Sequence, residues 1–115
     1  MSINVIIDSR TKSDILTTVQ AELVPWTLKN FGARDHWMPV MGLAEEVGEL
    51  SHSFLKRAQG IRTTEDHDAN IRDALGDILI YACDVANMEG INLSEILSTV
   101  WSSVSKRDWT KEPTP

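Results

Sequence analysis

Four stretches of the chain carry apolar residues at helical spacing, and the residues between them mark helix ends. The first begins near Ser13, a typical N-cap, and contains Pro25, which predicts a kink, or a break at Val24 with Pro25 opening a new turn. The second covers about 38–58 and ends before Gly60, a C-cap residue. The apolar stripes are Ile15, Leu16, Val19, Leu23 and Trp26 in the first stretch, and Val40, Leu43, Val47, Leu50, Phe54 and Ala58 in the second.

The third and fourth stretches continue the helical pattern as far as Lys106 and Arg107. The third covers about 64–89 and is closed by Gly90, and the fourth begins with Asn92 as N-cap and Glu95 three positions later. Residues 3–7 allow a short strand but have no partner strand. The pattern predicts an all-α fold, a four-helix bundle with antiparallel helices. The stripes are Ile71, Leu75, Ile78, Leu79, Ala82, Val85 and Ala86 in the third stretch, and Leu93, Ile96, Leu97, Val100, Trp101 and Val104 in the fourth, with Trp101 expected in the core.

Length and composition narrow the function without defining it. A chain of 115 residues fits one domain, expected over 1–109, followed by a polar tail at 110–115. The formal net charge of −6 argues against binding a nucleic-acid polymer. Apolar runs are too short to cross a bilayer, and the first ten residues do not resemble a signal peptide. Cys83 is the single cysteine, so we expect a reducing, cytoplasmic location.

Acidic residues gather on the helix faces opposite the predicted stripes. They are Glu45, Glu46 and Glu49 in the second stretch, and Asp73, Asp77 and Asp84 in the third. A solvated face is the ordinary explanation for such residues. Solvated faces, however, usually mix signs at i,i+4, whereas two pairs here, Glu45 with Glu49 and Asp73 with Asp77, carry like charges at that spacing.

Like charges this close favour a divalent cation. Two carboxylates about 6 Å apart repel by roughly 3 kcal/mol at an effective dielectric constant near 20. Mg2+ prefers carboxylate oxygens and would offset this repulsion. Ile80 and Tyr81 border the acids of the third stretch, which indicates that this face of the helix is partly buried against another element. Gly48 and Gly76 lie beside the acids within predicted helices, and either close helix packing or room for a ligand explains them.

The acidic motif resembles that of the MazG-like all-α nucleoside triphosphate pyrophosphohydrolase superfamily, which includes the dimeric dUTPases and the dCTP pyrophosphatases. The family pattern is E-E-x-x-E on one helix and E-x-x-D on the next. Glu45, Glu46 and Glu49 match the first part, and Asp77 matches the final acid. Ala74 stands where the family has a glutamate, which is a departure. The resemblance covers about 37–109.

The resemblance implies a Mg2+-dependent hydrolase, with Mn2+ as a substitute, that converts a (d)NTP to the monophosphate and pyrophosphate. It implies metal ligation by Glu46, Glu49 and Asp77, with Asp73 standing in for the acid missing at position 74. Glu45 would ligate a second ion or act as general base, so that Glu45, Glu46 and Glu49 form the catalytic group. Candidate substrate contacts, each with an ordinary structural explanation as well, are Trp37, Lys56, Asp84, Asn87, Lys106 and Arg107, the last two expected at the end of the fourth helix.

Two alternatives and one assembly prediction accompany this hypothesis. Glu49 and His52 form an E-x-x-H motif like that of di-iron carboxylate proteins, but the chain has no second such motif. Ala74 leaves open a weakly active or inactive module that binds a nucleotide or a protein. A second flank of the second helix, formed by Met41, Ala44, Ser51 and Leu55, predicts a homodimer or homotetramer.

Overall fold

The structure is a computed structural model that describes residues 14–111, and over this range it contains four helices and no strand. The all-α prediction is therefore confirmed. The predictions for Ser13 and for a strand at 3–7 lie outside the described residues. No described helix has the combination of length and apolar character that crossing a membrane requires. The helices are α1 (Ile15–Phe31), α2 (Met38–Gln59), α3 (His67–Met88) and α4 (Leu93–Val104).

Side chains and glycines fix the helix ends. Asp14, Asp66 and Asn92 each accept a hydrogen bond from the backbone N–H three residues later, at 2.9, 3.0 and 2.9 Å. Because Asp66 is the N-cap, α3 begins at His67, three residues after the predicted start near 64. Gly60 adopts a left-handed conformation (φ 68°) and ends α2 as predicted.

Helix α1 continues through Pro25, so the alternative of a break at Val24 is wrong. Proline removes one backbone donor from the helix, which usually weakens it. Here Leu23 and Thr27, on either side of the proline, are both buried. Burial of residues before and after the proline therefore stabilises the helix across the missing hydrogen bond.

Helices α2 and α3 form a closely packed antiparallel pair. At one end a Cβ on Gly42 would overlap the Tyr81 ring, so the absence of a side chain lets α2 approach the ring. At the other end Arg57 Nη1 lies 2.7 Å from Asp68 Oδ1. Helix α1 packs on α3, and α4 contacts α1 and α3 more lightly. Among the described helices α2 contacts α3 alone, so the bundle is open on one side.

The face of α2 that meets α3 matches its predicted apolar stripe only in part, because Leu43 and Leu50 are half-buried while the rest of the stripe is exposed. Pro39 and Ser53 are buried and Glu46 is half-buried, whereas Val47 and Phe54 of the stripe are 47% and 49% exposed. Small and polar residues therefore share the contact between the two helices with part of the apolar stripe. Helix α4 has no buried residue, and Trp101 is 62% exposed, so its predicted place in the core is wrong. Within the described chain no element packs over that face of α4.

Candidate functional site

A cavity of about 680 Å³ lies between α2 and α3, and acidic side chains dominate its walls. Glu45, Glu46 and Glu49 enter it from α2, and Asp73 and Asp77 enter it from α3. We call it the acidic cavity. The i,i+4 spacing puts the acids of each helix on one face, and the antiparallel pairing of α2 and α3 turns the two acidic faces toward the same space. Five sequence-predicted residues are thus brought together.

Glu46 occupies the most enclosed position among these carboxyl groups. It is half-buried, whereas Glu45, Glu49, Asp73 and Asp77 are exposed. Burial raises the pKa of Glu46 above its ordinary value, and the negative charges of Asp77, Glu49 and Glu45 raise it further. A positive charge in the cavity would act in the opposite direction and favour the ionised carboxylate.

The donor set of the acidic cavity suits a hard divalent cation, because Mg2+ binds carboxylate oxygens in preference to nitrogen or sulfur. Over residues 14–111, no three His, Cys, Asp or Glu side chains lie close enough to hold a metal ion as they stand. The carboxylates therefore share one cavity without forming a closed ligand shell. Gly48 lines the same cavity, and a Cβ there would meet no atom within 4 Å, which leaves free space beside the acids.

The far end of the acidic cavity contains residues that the sequence analysis did not single out. Glu65, from the connection between α2 and α3, lines it together with Asn70 and Ser53. Asn70 lies one helical turn before Asp73, so helical spacing could have identified it. Glu65 gives no such signal, because its position depends on the path of the connection between α2 and α3.

The position of the absent family glutamate is at the contact between the helices. Ala74 is buried and lines the acidic cavity.

The glycines of α2 and α3 differ in how closely other atoms approach them. Gly42 provides the close approach to α3, whereas a Cβ on Gly48 or Gly76 would meet no atom within 4 Å. Close helix packing within the described chain therefore does not explain Gly48 or Gly76.

A second cavity, of about 440 Å³, adjoins the acidic cavity. Glu46 and Asp77 line both cavities and so form the boundary between them. We call this space the aromatic cavity, because rings from two helices line it. Trp26 and Phe31 of α1 pack edge to face with ring centroids 5.6 Å apart, and Tyr81 of α3 contributes a third ring.

A buried ion pair closes part of the wall of the aromatic cavity. Arg34, from the connection between α1 and α2, donates from Nη1 and Nη2 to the two carboxylate oxygens of Asp84, both at 2.8 Å. The side chains are only 12% and 7% exposed. The hydrogen bond to Asp84 raises the pKa of Arg34, against the opposing effect of burial. Arg34 is not identifiable from sequence spacing, since its partner Asp84 lies 50 positions away.

The other predicted substrate contacts lie apart from the acidic cavity. Lys56 donates to Gln59 Oε1 at 3.3 Å, and Asn87 exchanges hydrogen bonds with Gln20 of α1. Trp37 is 57% exposed. Helix α4 ends at Val104, so Lys106 and Arg107 follow the helix instead of ending it. Asp84 lines the aromatic cavity, and the roles of all six remain predictions.

His52 lines the acidic cavity, while the other two histidines lie elsewhere. His36 Nδ1 is 2.7 Å from Glu89 Oε2 in an exposed pair, and His67 Nε2 is 3.1 Å from the Ile61 carbonyl oxygen. The E-x-x-H motif of Glu49 and His52 thus has both side chains at the acidic cavity. It faces aspartates and an asparagine of α3, whereas a di-iron site needs a second motif of the same kind.

Comparisons with known proteins add one finding to this geometry. Neither curated proteins nor solved structures give a significant match to the chain. A family model described as the MazG nucleotide pyrophosphohydrolase domain matches residues 36–110. The match covers α2, α3 and α4 and includes every residue of the acidic cavity. The chain therefore belongs to the MazG nucleotide pyrophosphohydrolase family.

Proposed function

We propose that this protein is a Mg2+-dependent pyrophosphohydrolase that converts a (d)NTP to the (d)NMP and pyrophosphate. The observation that carries the proposal is the continuity of the two cavities at Glu46 and Asp77. One side of this boundary has carboxylates suited to a metal-bound phosphate chain, and the other side has rings suited to a base. A nucleoside triphosphate has both parts in the same order.

The acidic cavity would hold the triphosphate together with Mg2+. Glu46, Glu49 and Asp77 are the proposed ligands, with Asp73 replacing the acid that Ala74 lacks. A bound Mg2+ would neutralise the phosphate oxygens and lower the pKa of a coordinated water. Without cations, the carboxylates of this cavity would repel a triphosphate strongly, so binding of the substrate should depend on Mg2+.

Glu45 is the proposed general base. It lines the acidic cavity beside Glu46 and is exposed, which gives its carboxylate access to water. In the reaction a water oxygen forms a bond to the α-phosphorus, the bond from this phosphorus to the α,β-bridging oxygen breaks, and Glu45 accepts a proton of the water. Pyrophosphate leaves with the bonding electron pair.

The aromatic cavity is the proposed site of the base. Its volume of about 440 Å³ is within the range of small-molecule sites. Trp26, Phe31 and Tyr81 offer flat apolar surfaces on which a base can stack. The substrate class that fits is therefore a nucleotide, in preference to inorganic triphosphate, which would leave these rings exposed to water.

Assembly into a homodimer or homotetramer is part of the proposal. Ile96, Leu97 and Val100 of α4 are 45%, 55% and 51% exposed, and α2 exposes Met41 and Leu55 on its second flank. Exposed apolar side chains that lie together on a helix are typical of an interaction surface. A second copy of the chain would cover it by symmetric packing. Light scattering at micromolar concentration should give at least the mass of a dimer, and a monomer would contradict this part.

The test of the proposed reaction is a panel of canonical and modified (d)NTPs incubated with and without Mg2+. We expect a monophosphate and pyrophosphate from at least one nucleotide, and only when Mg2+ is present. Glu49→Gln should remove most of the activity, and Glu22→Gln, which changes an exposed glutamate of α1, is the matched control. Full activity of Glu49→Gln would contradict the site assignment.

A module that binds nucleotide without hydrolysing it is the second candidate, and the buried Ala74 favours it. Such a module would be stabilised by a Mg2+–nucleotide complex in a thermal-shift titration and would release no pyrophosphate. Ala74→Glu separates the candidates. A weakened enzyme should gain rate when the carboxylate is restored, whereas a pure binding module should remain inactive.

A further inference from the structure

We infer that the Arg34–Asp84 ion pair determines base specificity by contacting the polar edge of a base in the aromatic cavity. The inference rests on the proposed binding of a nucleotide and names residues that this proposal leaves without a role. Arg34 precedes the residues 36–110 matched by the family model, so the family match does not account for it.

Helix α3 sets the distance between the ion pair and the acidic cavity. Asp77 and Asp84 are seven residues apart, which places them on the same side of the helix and separates them by about 10 Å along its axis. Both line the aromatic cavity, one at the boundary with the acidic cavity and the other in the wall with Arg34. The separation is comparable to that between the α-phosphate of a nucleotide and the far edge of its base.

The charge of the pair suits a neutral polar group. Arg34 and Asp84 neutralise each other through two hydrogen bonds of 2.8 Å, so the wall has no net charge to attract a phosphate chain. The guanidinium has five N–H donors and uses two of them here, and each carboxylate oxygen has the capacity to accept a further hydrogen bond. The pair therefore offers donors and acceptors side by side, which matches the adjacent donor and acceptor groups on the edge of a base.

The surroundings of the pair hold these groups in fixed positions. Both side chains are almost fully buried, and the guanidinium carbon of Arg34 lies 5.6 Å from the centroid of the Phe31 ring. Arg34 links the connection between α1 and α2 to α3, so its position is fixed on two sides. Fixed polar groups in an apolar cavity discriminate strongly, because a wrong base leaves them without partners.

Nucleotide binding measures the effect without requiring turnover. The affinities of the α,β-imido analogues of the four canonical dNTPs are measured by calorimetry with Mg2+ for the wild type, for Asp84→Asn, and for the double variant Arg34→Met/Asp84→Leu. The matched control is Arg57→Met/Asp68→Leu, which removes an exposed arginine–aspartate pair at the other end of α3. Replacing a buried ion pair with apolar residues of similar volume often preserves the fold, and thermal unfolding checks each variant.

We expect the wild type to distinguish the best from the poorest dNTP by at least about tenfold, and we expect both changes at Asp84 to reduce this ratio toward one. The control should keep the wild-type ratio. A wild type that does not discriminate, or folded Asp84 variants that keep the full ratio, would overturn the inference. Absence of hydrolysis with intact discrimination would contradict the proposed reaction alone.

Discussion

The acidic and aromatic cavities share Glu46 and Asp77 but are built in different ways. The acidic cavity is formed by two neighbouring helices and the short connection between them, and its acids repeat at short intervals along the chain. The aromatic cavity needs α1, the connection after it, α2 and α3, and its ion pair joins residues 50 positions apart. Short-range spacing can therefore specify the first cavity, whereas the second depends on tertiary packing.

The two cavities also differ in how charge is balanced. In the acidic cavity the like charges of Asp77, Glu49 and Glu45 raise the pKa of Glu46, and no lysine or arginine lines this cavity within residues 14–111. In the aromatic cavity Arg34 neutralises Asp84. The first cavity is thus suited to an added cation, whereas the ion pair in the wall of the second is balanced without one.

The largest expected effect is on catalysis in the acidic cavity. Glu49→Gln removes a charged oxygen donor while keeping the shape of the side chain. We expect kcat/KM for the preferred nucleotide to fall roughly 100-fold or more, because metal binding and transition-state stabilisation both weaken. The ratio of kcat/KM values between bases should stay unchanged, since the aromatic cavity is intact. A loss of base preference would show that the two cavities do not act separately.

The next largest effect is expected at the contact that shapes the aromatic cavity. A Cβ on Gly42 would overlap the Tyr81 ring, so Gly42→Ala forces the ring or the helix to move. We expect the free energy of unfolding to fall by about 1–3 kcal/mol, as for other overpacked sites, with altered base preference. Chemical denaturation measures the first and nucleotide affinities the second. Unchanged stability would contradict the described packing of α2 on α3.

A smaller effect, of opposite sign, is expected in the acidic cavity. Gly48→Ala replaces a poor helix former where a Cβ meets no atom within 4 Å, so the unliganded protein should gain about 0.5–1 kcal/mol in stability. If Gly48 leaves room for a phosphate chain, the same variant should bind nucleotide more weakly. Gly76→Ala, also without contacts within 4 Å, is the control that should gain stability at no cost in affinity. Equal affinities for all three proteins would exclude this role for Gly48.

The smallest effect is a pair of pH dependences with opposite signs. Because the pKa of Glu46 is raised, its contribution to stability is present at low pH and is lost as the pH rises through that pKa. The pKa of Asp14 is lowered, mainly by the hydrogen bond from Ser94, so its contribution is present above the unfolded pKa and is lost as the pH falls through the folded one. The free energy of unfolding is measured between about pH 3 and pH 7, the range in which carboxyl groups titrate. Glu46→Gln should remove the first of these pH dependences, and Asp14→Asn should remove the second.

Helix ends that a single cap or glycine fixes were predictable from the sequence, because these residues act over a few positions, whereas the start of α3 and the end of α4 differ from the prediction. Gly60 and Asn92 end and begin helices as their residue types indicate. Which face of each helix is buried was less predictable. Apolar periodicity locates the apolar face of a helix but does not say what covers it, and α2 turns small and acidic residues toward α3 together with only part of its stripe. Val47 and Phe54 consequently remain exposed within the described chain.

The candidate site was predictable to the extent that it depends on spacing. The acids of α2 and α3 were found because i,i+4 repeats place them on one face of each helix. Glu65 and Arg34 were missed, because both come from connections whose paths are set by tertiary contacts. Arg34 is identified only by its contact with Asp84 in the folded chain, and Glu65 only by its place in the wall of the acidic cavity.

The most direct test of the central claim, that one nucleotide spans both cavities, is a crystal structure with Mg2+ and a dNTP whose α,β-bridging oxygen is replaced by an imido group. We predict that the metal-bound triphosphate lies against Glu46, Glu49 and Asp77. The base should lie in the aromatic cavity beside Tyr81. A metal bound away from these carboxylates, or a nucleotide lying outside both cavities, would contradict the account.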